Sequence, residues 1–373
     1  MKYKLEECIE EIVDKTTENN QYEVLSVTKD GIYSQEKFFK KQIASEDNTG
    51  YKIIRKNNLV FSTMNLWMGS LDVLSNYEIG IVSPAYKIFK FDESKMIPSF
   101  GKYFMKSHFM LEQYKNCSEQ GASVVRRNLD LKQLLDTEIT IPTVEEQCKI
   151  VKVLENIDEI INKYTNLIKN KEQFIKSQFV EMFKKSNTKD FLYNISNYLS
   201  RGKSPNYVEN SKIKVINQAC IYWDEFKYSN AKYQDELKIN KSLDKMIKNG
   251  DVLITSTGTG TLGRCNVFQG EENKYIADGH VSILRLKENI INPIYFKYYI
   301  MQEKTQERLY AECVNGSTNQ IELAKDKLLK FEILVPDLNL QNEFVQIVQL
   351  IDKQKFHSVF KNITKVKESE VYA

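Results

Sequence analysis

The run Gly258-Thr259-Gly260-Thr261-Leu262-Gly263 has the G-x-G-x-x-G spacing with which a glycine turn brings backbone N–H groups onto a pyrophosphate. That chemistry needs a helix N-terminus directly behind the glycines. Here the following residues, Arg264-Cys265-Asn266-Val267-Phe268, alternate as a strand does and end at Gly270, so the context is wrong for a dinucleotide site. Two readings stay open for the run. It is the tip of a structural hairpin, or a loop in which the Thr257, Thr259 and Thr261 hydroxyls, free N–H groups and Arg264 face phosphates or base edges.

Asn292-Pro293-Ile294-Tyr295 lacks the second proline of the N-P-P-[YF] motif that holds an adenine amino group in methyltransferases. No glycine-rich cofactor loop precedes a helix at a suitable place, so the segment reads as a helix start. Pro336-Asp337 leads into a helix and not into a strand carrying E-x-K, which a metal-dependent nuclease would need. The six cysteines form no C-x-x-C pair and the three histidines lie far apart, which argues against structural zinc. No convincing catalytic constellation forms.

The remaining polar residues at turns suit nucleic-acid contact. Arg201-Gly202-Lys203-Ser204-Pro205 and Gln218 stand early in the second half of the chain. Asn65, Trp67 and Arg126-Arg127-Asn128 after Gly121 hold counterpart places in the first half, and Asn319 and Gln320 are further candidates in the second. Arg and Lys pair bidentately with guanine, Asn and Gln with adenine, and adjacent arginines also suit a phosphate. A solvated turn is the competing reading for each.

These candidates sit on a scaffold that the chain states twice. Ile141-Pro142, Gln147, Ile150 and Asp158 return as Val335-Pro336, Gln341, Phe344 and Asp352 with an offset of 194 residues. Upstream, the turn and apolar run Arg55–Ser62 corresponds to Lys248–Thr255, and the alternating Tyr86–Phe91 to Val281–Leu286. A fixed long-period repeat means two equivalent structural units, here each of mixed α/β character. Strands are expected at Tyr22–Val27, Leu59–Ser62, Ala85–Phe91, Lys214–Asn217, Val252–Thr255 and Val281–Leu286, and helices at Ser99–Tyr114 and Pro293–Tyr310.

Each unit ends in a helix. From Glu145 to Phe183 there is no Gly or Pro, and Thr143 with Glu146 forms a capping box. At 1.5 Å per residue this helix is roughly 58 Å long, the length of a coiled-coil-like spacer and not of a core helix. Its apolar face carries Ile150, Val153, Leu154, Ile157, Ile160, Ile161, Leu167, Ile168, Phe174 and Ile175. The second helix, from about Leu340, carries Phe344, Val348 and Ile351. Packing of the two against one another, antiparallel, is the simpler expectation. Separate docking of each on its own domain is the alternative.

At 373 residues there is room for two domains with cores of their own. A net charge of +3 is low for a protein gripping DNA unaided, so basic patches or a charged partner must share the work. No leader pattern opens the chain and no apolar run approaches about 18 residues. With its free cysteines, the chain is expected to be cytoplasmic.

Taken together, the twice-used I-P-x-x-x-x-Q-x-x-I-x-x-x-L/I-x-x-x-D pattern opening a long helix, each time after a divergent domain, resembles the specificity subunit of type I restriction-modification systems. Leu5-Glu6-Glu7-Cys8-Ile9 and Gly202-Lys203-Ser204-Pro205 fit the openings of that family's domains, although the first unit lacks a G-x-[ST]-P counterpart. The resemblance implies an α+β fold: two mixed α/β target recognition domains in tandem pseudo-two-fold repeat (residues 1–142 and 189–336), joined by two long antiparallel helices (143–188 and 337–373).

The resemblance also implies that each domain reads one half of a bipartite double-stranded DNA site. The helices, through Gln147, Ile150, Leu154, Ile157, Ile161, Ile168, Ile175, Gln341, Phe344, Val348 and Ile351, pack together and dock two methyltransferase subunits. Those partners would carry S-adenosylmethionine and methylate adenine at N6. ATP and Mg would belong to two restriction subunits where the system has them. This chain would be non-catalytic and bind no cofactor or metal. A stand-alone DNA methyltransferase or nuclease with a split site is the competing reading, and a helical scaffold with no DNA role is a third.

Overall fold

The computed structural model describes residues 1–38, 47–120, 127–238, 246–316 and 321–352. It divides into two compact units, the first within residues 1–167 and the second within residues 168–355.

The first unit is built on four antiparallel strands in the order Ile9–Glu11, Tyr86–Phe91, Leu59–Ser62, Leu71–Val73. The second unit repeats that order with Ser196–Arg201, Val281–Leu286, Val252–Thr255 and Cys265–Val267. Leu59–Ser62 and Val252–Thr255 are buried at every residue, because the sheet is covered on both faces. Leu59 and Phe61 pack with the helices while Val60 joins a second cluster with Leu25, Ile54 and Val82. Val252 and Ile254 divide from Leu253 in the same way.

The turn ahead of each of these strands has one construction. The Asn58 side chain accepts from Arg55 N at 2.9 Å, and the Asp251 carboxylate accepts from Lys248 N at 2.7 Å. The residue before it is left-handed in both, Asn57 at φ 70° and Gly250 at φ 85°.

Three sequence expectations change. Tyr22–Val27 is a strand only from Leu25, running to Thr28, since Asn20 is left-handed and its N–H is held by Asn48 Oδ1 at 2.7 Å. The expected helix Ser99–Tyr114 is two, Pro98–Phe104 and His108–Asn116, divided where Ser107 Oγ caps Met110 N. Its counterpart is Pro293–Ile300 and Glu303–Cys313, the first capped by the Asn292 side chain.

A short strand pair closes each unit. Lys2–Lys4 pairs with Glu138–Thr140, and Lys189–Phe191 with Glu332–Leu334, immediately ahead of the two helices. The first helix, Val144–Phe183, is 40 residues long, about 60 Å. Thr143 and Glu146 exchange the expected capping bonds, Glu146 N to Thr143 Oγ1 and Thr143 N to Glu146 Oε2. The second helix is Leu338–Asp352, opened by Asp337 accepting from Asn339 N. Residues 353–373, the remainder of the expected C-terminal spacer, lie outside the described residues.

Within the second unit, Ile175, Phe179 and Phe183 are buried in the core. Phe179 and Phe183 meet Phe344 edge-on at centroid distances of 5.3 and 5.7 Å, and Lys171 pairs with Asp352 at 2.7 Å. The order of these contacts, 183 beside 344 and 171 beside 352, makes the two helices antiparallel here.

The apolar face of the long helix divides into two rows. Leu154, Ile157, Ile161 and Ile168 are half-buried and Ile175 is buried. Ile150, Val153, Ile160, Leu167 and Phe174 stand 38–58 % exposed. The sequence pattern treated both rows as one covered face.

Candidate nucleic-acid interface

In the second unit, the end of the sheet at Arg201, Thr255 and Ser282 gathers most of the polar candidates. The strand ending at Arg201 runs into Gly202, Lys203 and Ser204. A Cβ on Gly202 would stand 2.2 Å from the carbonyl oxygens of Ala277 and Asp278, so glycine is what lets this segment lie against its neighbour. Lys203 and Ser204 are exposed beyond it.

The hairpin loop from Ser256 to Arg264 forms the adjoining wall. Thr261 Oγ1 folds back onto the Thr257 carbonyl at 3.1 Å, and Thr259 is exposed at the tip. The Arg264 guanidinium lies 4.4 Å from the Tyr222 ring centroid and donates to the Gln218 carbonyl at 2.9 Å. Lys227 lies over the same ring at 4.0 Å. Thus Gln218, Tyr222 and Arg264 are one packed group.

Other side chains here are already engaged. Arg201 pairs with Glu322 at 2.8 Å, which leaves it only partly available to a ligand. Its Nε, the Nε of Arg264 and Oε1 of Gln218 are buried without a hydrogen-bond partner. A groove of about 210 Å³ runs beside Arg201, lined also by Lys203, Ser204, Asn206 and Lys238.

The first unit builds the corresponding place with different chemistry. After the strand Leu59–Ser62 come Met64, Asn65 and the turn Leu66–Met68. Arg127 N donates to the Met64 carbonyl at 3.2 Å, and the Arg127 guanidinium stacks 4.3 Å from the Trp67 ring centroid. In the second unit the same edge is made by Leu323 N donating to the Ser256 carbonyl. Asn128 is exposed, and Asn65 Oδ1 and Arg127 Nε are buried without a partner. Arg126, Asn319 and Gln320 lie outside the described residues.

Two units of one construction, each presenting a different polar rim at the same sheet end, match what comparison with known proteins finds. The model of the type I restriction modification DNA specificity domain matches residues 181–367. The chain belongs to this family. Its fold is that of the type I restriction-modification S subunit from M. genitalium, with a TM-score of 0.59 at 15 % identity over 100 % of this chain and 95 % of that one. A chain from a structure titled for complex assembly and conformational transition of the type I R-M system gives a TM-score of 0.53 at 16 % identity, covering 100 % and 96 %.

For a DNA sequence-recognition subunit, the structure adds candidates to this rim that the sequence did not announce. His280 is exposed and its Nδ1 is bonded to Thr257 Oγ1 at 2.7 Å, which leaves Nε2 for a ligand. Its backbone N–H is held by Asp278, a buried carboxyl whose pKa is pushed up by burial. Tyr222 and Lys227 are the other two. A lone histidine and a tyrosine far from Arg264 in sequence offer no spacing signal, because only the fold places them beside the loop.

Burial pushes the thiol pKa of Cys8 up to about 11 and that of Cys265 up to about 12, so neither is a nucleophile at neutral pH. Among the described residues no three His, Cys, Asp or Glu side chains gather as metal ligands would. Among them, too, no helix is long and apolar enough to cross a membrane.

Proposed function

We propose that each unit of this subunit reads one half of a bipartite DNA site, and that its helices carry methyltransferase subunits which methylate adenine at N6. The observation that carries this reading is the contrast between a repeated platform and unrepeated rims. The sheet order, turn, closing strand pair and helix entrance recur. The rim is Thr257, Thr259, Gln218, Arg264 and His280 in one unit, and Asn65, Trp67 and Arg127 in the other. A conserved holder with different edges suits two unlike half-sites.

Docking falls to the exposed row Ile150, Val153, Ile160 and Leu167, whose seven-residue repeat from Val153 is that of a helix seam awaiting another surface. The chain itself performs no chemistry on this reading. S-adenosylmethionine is held by the methyltransferase, and ATP and Mg by restriction subunits in systems that cleave. The partners supply the positive charge that a net +3 does not. The complex then works in the cytoplasm, where the DNA is.

The test maps methylated adenines in cells with and without this chain, and again after residues 189–335 are exchanged for those of a relative. Loss of one bipartite motif without the chain, and change of one half only after the exchange, are expected. Methyl transfer by the purified chain alone, or change of both halves, overturns the reading.

A further inference from the structure

The loop of the first unit exposes two methionines where the second unit has threonines, of which Thr259 is exposed and Thr257 and Thr261 are half-buried. Met64 is 36 % and Met68 43 % exposed, on either side of Asn65 and Trp67. The backbone here is fixed: Asn65 O accepts from Met68 N at 3.0 Å, and Met64 O accepts from Arg127 N at 3.2 Å. Two partly exposed methionines therefore flank a backbone to which Arg127 is tied, and the Arg127 guanidinium lies on the Trp67 indole at 4.3 Å. Charge and apolar surface at one sheet end are what a DNA groove accepts, the cation serving the polyanion and the apolar atoms something else.

In the major groove the apolar feature of a base pair is the C5 methyl of thymine; the other edges are hydrogen-bond donors and acceptors. Methionine, unbranched and polarizable, adapts to such a small target better than a β-branched side chain. Its counterpart loop, Thr257 to Thr261 with His280, presents hydroxyls and an imidazole. The two rims thus differ in kind: the first offers long, adaptable thioether chains, the second short threonine side chains that carry a hydroxyl beside each methyl.

We propose that Met64 and Met68 read a thymine through its C5 methyl group in the half-site bound by the first unit, with Arg127 holding the adjoining DNA. The inference rests on the reading that this unit binds one half of the site.

The test uses the full chain assembled with its methyltransferase, and duplexes of the mapped motif. Each thymine of the first unit's half is replaced in turn by deoxyuridine, which removes one methyl and nothing else. At one position at least, affinity is expected to fall roughly four-fold, the worth of one buried methyl. The M64S/M68S double variant should bind the parent duplex about as weakly and lose no more on deoxyuridine, while M64L/M68L keeps the sensitivity. A half-site with no sensitive position, or a sensitivity that persists in M64S/M68S, overturns the inference while leaving domain-wise reading intact. If exchanging residues 1–142 alters neither half of the motif, domain-wise reading falls and the inference with it.

Discussion

Gln147 and Gln341 make the same three hydrogen bonds, each inside its own unit. The Gln147 amide donates to Pro142 O at 2.9 Å and Lys95 O at 2.7 Å, and its Oε1 accepts from Ile97 N at 3.0 Å. Gln341 donates to Pro336 O at 2.8 Å and Ile290 O at 3.1 Å, and accepts from Asn292 N at 2.8 Å. Both side chains are fully buried. The repeated glutamine therefore ties the first turn of each long helix to the loop that opens the unit's proline-led helix. Removing it leaves two carbonyls and an N–H, all in a half-buried or buried setting, without their partner. Gln147→Ala and Gln341→Ala should each cost about 2–4 kcal/mol. The chain has one tryptophan per unit, Trp67 and Trp223. Single-tryptophan variants followed in urea should thus show Gln147→Ala lowering the Trp67 transition and Gln341→Ala the Trp223 transition; equal effects on both would contradict unit-local clamping.

The exposed row on the long helix makes a separate prediction. Val153 and Ile160 are 58 % and 41 % exposed, so Val153→Glu and Ile160→Glu should leave the unfolding free energy within about 0.5 kcal/mol of the parent. A charge buried in a partner interface is costly, so assembly with the methyltransferase should weaken by at least roughly ten-fold. Leu154→Asp, on the half-buried row, should reduce both stability and assembly. Sedimentation of the mixed complex distinguishes the cases, and full assembly by the Val153 and Ile160 variants would remove that row from the interface.

The scaffold was legible in the sequence because it is enforced by local chemistry used twice. Thr143 with Glu146, Pro293 at its helix start, and the turns at Asn57 and Gly250 all act within a few residues, though Pro98 as the matching start in the first unit went unread. The candidate interface was only partly legible. Gln218 and Arg264 were visible as residue types, but their union depends on the Tyr222 ring, on which Arg264 stacks. His280 was silent until the fold set it on Thr257. The long helix misled for a related reason: an apolar heptad reports that a face will be covered, and cannot say whether this chain or another supplies the cover.

Asp278 ties the interface to pH. It is 5 % exposed, and burial raises its pKa above the ordinary 3.8, against the lowering pull of the His280 N–H it accepts and of the His280 and Arg201 charges. A carboxyl with a raised folded pKa binds more protons folded than unfolded, so its contribution to stability falls as pH rises from 3.8 through the folded pKa. Asp278→Asn keeps an oxygen to accept from His280 N and removes the charge. It should be more stable than the parent at pH 7, with the difference shrinking as pH approaches 4. Urea midpoints read at Trp223 across that range decide it, and a variant less stable than the parent at pH 7 would refute the assignment.

The unbroken helix Val144–Phe183 gives the last prediction. If the chain between the units sets how many bases go unread between the half-sites, its length is the variable. Four residues inserted after Lys169 add about 6 Å of helix, and a base-pair step is about 3.4 Å. The spacer of the methylated motif should therefore lengthen by about two base pairs, with both half-sites unchanged in sequence. Lys169 is exposed and the inserted residues can be Ala, Glu and Lys, so neither core is disturbed. Sequencing of methylated adenines in cells carrying the lengthened chain reads spacer and half-sites together. An unchanged spacer refutes the helix as ruler, while a changed half-site would place part of the recognition surface on the helix itself.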